Sequence, residues 1–340
     1  MECGVRTAVA ARWAAAAVIA LEAGFVIGSV TSRPPAQPAV RTAQAGARTS
    51  RLGRTTSPAT PSPTPSPSPT PTAGPTTTTT TVTLQVGGLS RSYRLIRPTQ
   101  PVADRLPALV ILHGVNASVD YEVQRDGLLP VADAGQAILV YPAGYEESWN
   151  AGVCCPPAST DGVDDAGFLA AVLQQVAADP GVDPARVTLV GFSNGGRMAY
   201  QLDCAQPGIV RSMVVVLAVP VTTCGASAPV SLLMMANADD PEVPYAPGDD
   251  PGVGLTAVTD VVAAWRSRDG CGSTVSAQAT QGQLTSAVWS DCRSGTQVQL
   301  VTYPSGGHQW QPGDATTPSM GRRIWSFAIA EPGLEDPLPQ

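Results

Sequence analysis

The stretch "VTLVGFSNGGRMAYQL", residues 187–202, joins an apolar run to a run of helix formers through a single serine. The run before Gly191 predicts a buried strand, and the residues after Gly195 predict a helix. Ser193 lies in the turn between them. A Cβ at either flanking glycine would collide with neighbouring backbone in so tight a turn. The stretch therefore predicts a serine exposed above the edge of a sheet, with free N–H groups of the following helix aimed at it.

Further short apolar runs flank this stretch and alternate with helical segments, which predicts a parallel sheet with helices on both faces. The other predicted strands are "ALVILHG" (108–114), "AILVYPAG" (137–144), "SMVVVLAV" (212–219) and "VSLLMMAN" (230–237). The predicted helices lie within 164–180, 194–207 and 254–270. Before them, 83–98 alternates polar and apolar residues around a glycine turn, which predicts an antiparallel hairpin. The fold class is therefore α/β, a doubly wound and mostly parallel sheet with an N-terminal antiparallel hairpin.

A serine hydroxyl needs a base to become a nucleophile at neutral pH. The chain has two histidines, His113 and His308, and only His308 follows Ser193. The strand–serine–helix turn matches the nucleophile elbow of the α/β-hydrolase fold, whose triad runs Ser, acid, His along the chain. The acid is then expected on the loop after 230–237, where Asp239 and Asp240 are both available. Asp240 is favoured because the following Pro241 fixes the turn.

The other histidine, His113, ends a buried strand and precedes Gly114, where this fold forms its oxyanion hole. We expect His113 and Gly114 to support that loop rather than to act as the base. The backbone N–H of Asn194 is the first expected oxyanion donor, and that of Val115 or Asn116 the second.

Seven segments in order resemble the secreted esterases described as polyhydroxybutyrate depolymerase-like, feruloyl esterase-like and acetylxylan esterase-like, over roughly residues 84 to 330. They are "LHGVNAS", "YPAGYEESWNAGVCC", "DDAGFLAAV", "RVTLVGFSNGGRMAYQLDC", "DDPEVPY", "WSDC" and "GGHQW". The resemblance implies an α/β-hydrolase fold and a triad at Ser193, Asp240 and His308. Residues 235–238 depart from the family's H-G-T-x-D, and Gln311 is an insertion after the G-G-H-x-W segment.

Four further residues have two interpretations each. Trp149 and Trp310 are candidates for lining the acyl or alcohol pocket, with core packing as the alternative. Asp164 and Asp165 open a predicted helix and are interpreted as caps before ligands.

Composition divides the chain into parts. Residues 1–32 contain the apolar stretch "WAAAAVIALEAGFVIGSV" and predict a signal peptide or membrane anchor. Residues 33–82 are rich in Pro, Thr and Ser, which predicts a disordered linker. A catalytic domain is expected over 83–332 and a tail over 333–340.

All 20 basic residues are arginine, and the formal net charge is −7. From residue 83 onward 13 arginines face 25 acids, or −12, a field that excludes a nucleic-acid partner. Six of the seven cysteines follow the leader, which fits disulfides outside the cytoplasm. We expect Cys271 to pair with Cys292 and leave the pairing of Cys154, Cys155, Cys204 and Cys224 open.

These features predict a secreted or surface-tethered monomer that hydrolyses esters of short hydroxyalkanoates or of plant polysaccharides, such as feruloylated or acetylated xylan. Its partner is the polyester or polysaccharide substrate, and neither a metal nor an organic cofactor is required. Two alternatives remain: an envelope acyltransferase with the same triad, and a noncatalytic surface-interaction protein.

Overall fold

A computed structural model describes residues 77–222, 224, 228–249 and 254–330. The predicted export segment, most of the predicted linker and the predicted tail lie outside these residues. The first strand begins at Thr77 and pairs with a strand that ends at Pro98, so the sheet starts before the linker boundary predicted at 82. Threonine is β-branched and favours extended pairing, which is why the end of the Thr-rich run joins the sheet.

The strands of the described residues form one sheet in the order β1-β2-β4-β3-β5-β6-β7-β10-β9-β8. They are β1 (Thr77–Val86), β2 (Leu89–Pro98), β3 (Leu106–Leu112), β4 (Ile138–Pro142), β5 (Val182–Phe192), β6 (Ser212–Val216), β7 (Ser231–Asn237), β8 (Ala277–Gln281), β9 (Leu284–Trp289) and β10 (Val298–Tyr303). Neighbours from β4 to β10 in that order are parallel, and the pairs on both flanks are antiparallel. This confirms the predicted fold class and adds a second hairpin, β8–β9.

Helices cover both faces of the sheet. They are α1 (Val119–Arg125), α2 (Leu129–Asp133), α3 (Asp165–Ala178), α4 (Asn194–Ala205), α5 (Val258–Asp269) and α6 (Met320–Ile329). Successive side chains of a strand point to opposite faces, so Val110 packs in the core with α3, α4 and α5, whereas Leu109 packs with α2 and α6. Both residues are fully buried. Within the described part of the chain, no helix is both long and apolar enough to cross a bilayer.

The structure joins Cys271 to Cys292, the pair expected from the sequence, around the β8–β9 hairpin. The four cysteines left open form two further disulfides: Cys154 with the adjacent Cys155, and Cys204 with Cys224.

Candidate active site

Ser193 stands at a sharp turn between β5 and α4. Its φ of 52° lies in the left-handed region, which is rare for a residue with a side chain. A Cβ at Gly191 would lie 2.4 Å from the carbonyl oxygen of Gly195, and one at Gly195 would lie 2.5 Å from that of Leu112. Both distances are shorter than atoms can approach. The two glycines therefore allow the turn that exposes the serine, as the motif suggested.

Three side chains that are distant in sequence form one hydrogen-bonded chain. Ser193 Oγ lies 2.8 Å from His308 Nε2, and His308 Nδ1 lies 2.9 Å from Asp240 Oδ2. A carboxylate only accepts hydrogen bonds, so the proton of the neutral imidazole is on Nδ1 and Nε2 accepts from the serine hydroxyl. The structure thus brings the predicted nucleophile, base and acid together beyond the carboxyl ends of β5, β7 and β10.

The two candidate aspartates have different partners. Asp240 is 1% exposed as a side chain, and its Oδ1 accepts the backbone N–H groups of Glu242 at 2.8 Å and Val243 at 3.1 Å. Its other oxygen is thereby aimed at His308. Asp239 instead accepts the backbone N–H of Gly307 at 2.8 Å. One carboxylate orients the imidazole, and the other holds the loop that carries it.

Asn237, at the end of β7, was missed by the sequence reasoning. Its buried side-chain amide donates to the carbonyl oxygens of Gly307 at 2.6 Å and Gln309 at 3.0 Å, on either side of His308. The available signal was the departure from the family pattern at 235–238, which contains this residue.

His113 is buried and hydrogen-bonded at both ring nitrogens. Nε2 accepts the backbone N–H of Gly144 at 2.9 Å, so Nδ1 carries the proton and donates to the carbonyl oxygen of Gly114 at 2.7 Å. Burial lowers the pKa of His113 to about 4. A neutral imidazole therefore anchors the carbonyl oxygen of Gly114. In the trans peptide unit that joins Gly114 to Val115, the Val115 N–H points away from that oxygen.

The structure separates the three expected oxyanion donors. Asn194 begins α4, so its backbone N–H is among the first-turn groups that have no partner within a helix. Its side chain is occupied by the backbone of Trp149, at 2.8 and 3.0 Å. The prediction for Asn116 was wrong, because its N–H donates to the carbonyl oxygen of Glu147 at 2.9 Å. Val115 is left as the second candidate.

The two tryptophans take different positions. The prediction that Trp149 lines a pocket was wrong: it is 0% exposed, and its indole N–H donates to the carbonyl oxygen of His113 at 2.9 Å. From within the core, Trp149 braces the loop after β3, where an oxyanion hole was expected. Trp310 is partly buried and stacks on Phe192 with ring centroids 5.5 Å apart. Phe192 in turn lies 5.4 Å from the His308 ring.

A buried charged cluster lies behind this aromatic pair. The Arg125 guanidinium lies 4.0 Å from the Phe192 ring centroid and pairs with Glu122 at 2.6 Å. Burial raises the pKa of Glu122 to about 7 despite that cation. Burial also raises the pKa of Asp126 to about 7, while Tyr141 donates to it at 2.8 Å.

The predicted helix caps are only half correct. Asp164 Oδ1 accepts the Gly167 N–H at 2.8 Å and caps α3. Asp165 instead forms a buried ion pair with Arg91 at 2.7 Å and accepts the Asn150 N–H at 2.7 Å. It ties the loop after β4 to β2. Among the described residues no group of three or more His, Cys, Asp or Glu side chains is arranged to hold a metal ion.

A mostly parallel sheet in this order, with a serine at the elbow after β5, defines the α/β-hydrolase fold. No family model matches the chain. A solved acetyl xylan esterase from Aspergillus awamori superposes with a TM-score of 0.54, covering 73% of this chain and 98% of that one. At 12% identity that likeness concerns the fold alone.

Sequence relatives supply the family. The protein named "Putative esterase NocK" from Nocardia uniformis is 29% identical over 250 residues, which span 67% of this chain and 73% of that protein. Feruloyl esterase C from Emericella nidulans is 31% identical over 197 residues, spanning 58% of this chain and 66% of that protein. The chain belongs to the esterases of the α/β-hydrolase fold.

Proposed function

We propose that the protein is a secreted serine carboxylic ester hydrolase in which Ser193 is the nucleophile, His308 the general base and acid, and Asp240 the orienting carboxylate. The observation that carries the proposal is the continuous hydrogen-bonded chain from Ser193 Oγ to Asp240 Oδ2, with links of 2.8 and 2.9 Å. Such a chain allows a serine hydroxyl to lose its proton as it attacks.

The reaction proceeds in two halves. Ser193 Oγ bonds to the ester carbonyl carbon while its proton passes to His308 Nε2, and the carbonyl oxygen becomes an oxyanion. The backbone N–H groups of Asn194 and Val115 hold that oxyanion. The tetrahedral intermediate then expels the alcohol, which takes the proton from His308, and leaves an acyl-serine. In the second half, water attacks the carbonyl carbon of the acyl-serine and gives a proton to His308 Nε2. The new tetrahedral intermediate then releases the carboxylic acid, and Ser193 Oγ takes the proton back from His308.

The substrates we propose are esters of plant polysaccharides or of short hydroxyalkanoates. Relatives named feruloyl esterase support the first group, and the resemblance to polyhydroxybutyrate depolymerase-like enzymes is the basis for the second. Turnover of methyl ferulate, acetylated xylan and hydroxybutyrate oligomers by one preparation distinguishes them. Preference for hydroxybutyrate oligomers would reject the polysaccharide assignment.

Secretion is supported by two features that differ in kind. The apolar sequence of residues 13–30 predicts an export segment. The three disulfides of the described residues are typical of proteins in oxidising compartments. A surface tether through 1–32 is the alternative to cleavage, and mass analysis of the protein from culture medium distinguishes the two.

The mechanism is tested with short p-nitrophenyl esters and the substitution Ser193→Ala. We expect kcat/KM to fall at least about 10⁴-fold, whereas Ser273→Ala, at an exposed serine, should match wild type. A Ser193→Ala protein as active as wild type rejects the mechanism.

A fluorophosphonate probe that fails to label Ser193 would favour the noncatalytic alternative, and a new ester formed with an added sugar would favour the acyltransferase.

A further inference from the structure

Glu242 brings a second carboxylate to the imidazole of His308. Its Oε2 lies 3.7 Å from Nε2, the same nitrogen that lies 2.8 Å from Ser193 Oγ. Asp240 occupies the other ring nitrogen. The two carboxylates also differ in exposure, since the Glu242 side chain is 63% exposed and that of Asp240 is 1% exposed. Glu242 therefore lies on the solvent-exposed side of the site.

The position of Glu242 follows from the local fold. Its backbone N–H donates to Asp240 Oδ1 at 2.8 Å, and the N–H of the buried Val243 donates to the same oxygen at 3.1 Å. The carboxylate that orients His308 thus also sets the turn from which Glu242 projects. The turn after β7 that carries Asp240 therefore also places Glu242 beside Nε2.

The charges around Nε2 leave the Glu242 carboxylate available to substrate. Arg197 of α4 is close enough to Glu242 for their charges to interact, but its Nη1 is directed at Cys154 Sγ, 3.2 Å away. Arg125, behind Phe192, is paired with Glu122. Asp239 holds Gly307 and adds negative charge on the same loop.

The leaving alcohol takes its proton from His308 Nε2, so its oxygen must come within about 3 Å of that nitrogen. Glu242 Oε2 lies 3.7 Å from the same atom. We propose that Glu242 is a specificity-determining residue for the alcohol part of the ester, an inference that rests on the proposed function. It attracts alcohols that carry positive charge or spare hydroxyl donors and repels those that carry negative charge. The terminal unit of a hydroxyalkanoate oligomer, with its free carboxylate, is disfavoured on this basis.

The test uses three butyrate esters that share one acyl group. Their alcohols are choline (cationic), 3,3-dimethylbutanol (neutral and of the same shape) and isethionate (anionic). The value of kcat/KM reports acylation, the step in which the alcohol leaves. For wild type we expect the cationic ester to exceed the anionic one by about tenfold. Glu242→Gln should reduce that ratio to about twofold, and 1 M NaCl should reduce the wild-type ratio similarly.

Two controls separate this role from a general charge effect. Asp104→Asn removes an exposed carboxylate elsewhere and should keep the wild-type ratio. The second control places the charge on the acyl side. The ratio of kcat/KM for monomethyl succinate to that for methyl butyrate should be the same in wild type and in Glu242→Gln. Thermal unfolding of the variants checks that they are folded.

Each outcome decides the assignment. A charge ratio that persists in Glu242→Gln overturns the role of Glu242 and leaves the esterase proposal intact. A wild type that hydrolyses neither these three esters nor short p-nitrophenyl esters overturns the proposed function and this inference with it.

Discussion

The side-chain amide of Asn237 donates to the carbonyl oxygen of Gly307 at 2.6 Å, one residue before His308. The end of β7 therefore holds the loop of His308, the proposed base. Asp240, the proposed orienting acid, lies three residues after Asn237 on the loop that follows β7. This contact, together with the bonds of Asn237 to Gln309 and of Asp239 to Gly307, couples the positions of the two loops.

We expect Asn237→Leu, which keeps the volume but removes the donor, to lower kcat/KM by about 10- to 100-fold, because a small displacement of a catalytic group is costly. Hydrolysis of p-nitrophenyl acetate, with thermal unfolding as a folding check, measures the effect. Activity within twofold of wild type would mean that the loop holds its place without Asn237.

Substitutions of the two adjacent aspartates should differ sharply in their effect on kcat. Asp240→Asn replaces the acceptor of the His308 Nδ1 proton and should lower kcat by about 10⁴-fold. Asp239→Asn retains an oxygen that can accept the Gly307 N–H and should cost less than about tenfold. Steady-state kinetics of both variants decides the assignment, which fails if Asp239→Asn is the more damaging change.

Gly195 is expected to tolerate no side chain. The Cβ of Gly195→Ala would lie 2.5 Å from the Leu112 carbonyl oxygen, so the substitution should lower the free energy of unfolding by about 1–3 kcal/mol and reduce turnover. Gly272→Ala is the matched control, since the nearest atom lies 4.0 Å away. Urea denaturation measures both, and equal stabilities would contradict the steric account of the elbow.

The buried indoles give a paired test of hydrogen bonding. Trp149→Phe leaves the buried carbonyl oxygen of His113 without its donor and should destabilise the protein by about 1–3 kcal/mol. The indole N–H of Trp310 is buried and has no partner within the described residues, so Trp310→Phe should cost less. Denaturation at neutral pH compares them, and a larger loss for Trp310→Phe would refute the bracing role of Trp149.

His113 should make stability depend on pH. Its pKa is about 4 when folded and about 6.5 in an unfolded chain, so between these values only the unfolded chain takes up the proton. The stabilisation is complete above pH 6.5 and is lost as pH falls towards 4. The free energy of unfolding should drop by about 2–3 kcal/mol from this residue between pH 7 and 4.5.

The comparison protein for that experiment is His113→Gln. Glu122 and Asp126, whose pKa values are raised by burial, contribute a slope of the opposite sign. That slope cancels between the two proteins. An equal drop in wild type and variant would show that His113 does not remain neutral in the folded state.

Much of the site was predictable because local chemistry constrains it. Gly191 and Gly195 permit the tight turn in which Ser193 has a φ of 52°, and the order of the residues left His308 as the only histidine after the serine. Asn237 and Trp149 were not predictable in the same way. A polar residue at a strand end and an aromatic residue in a loop acquire a role only from what packs against them.

The amino-acid sequence by itself determined the alternation of buried strands and helices, the serine at the elbow and the one candidate base after it, because hydrophobic period, glycine placement and residue type act over a few neighbouring residues. Tertiary structure alone decided that Asp239 holds a loop while Asp240 faces the imidazole, that the Asn116 N–H is already occupied, and that Glu242 stands beside Nε2. These depend on distances between side chains separated by tens of residues, and packing of the whole sheet sets those distances.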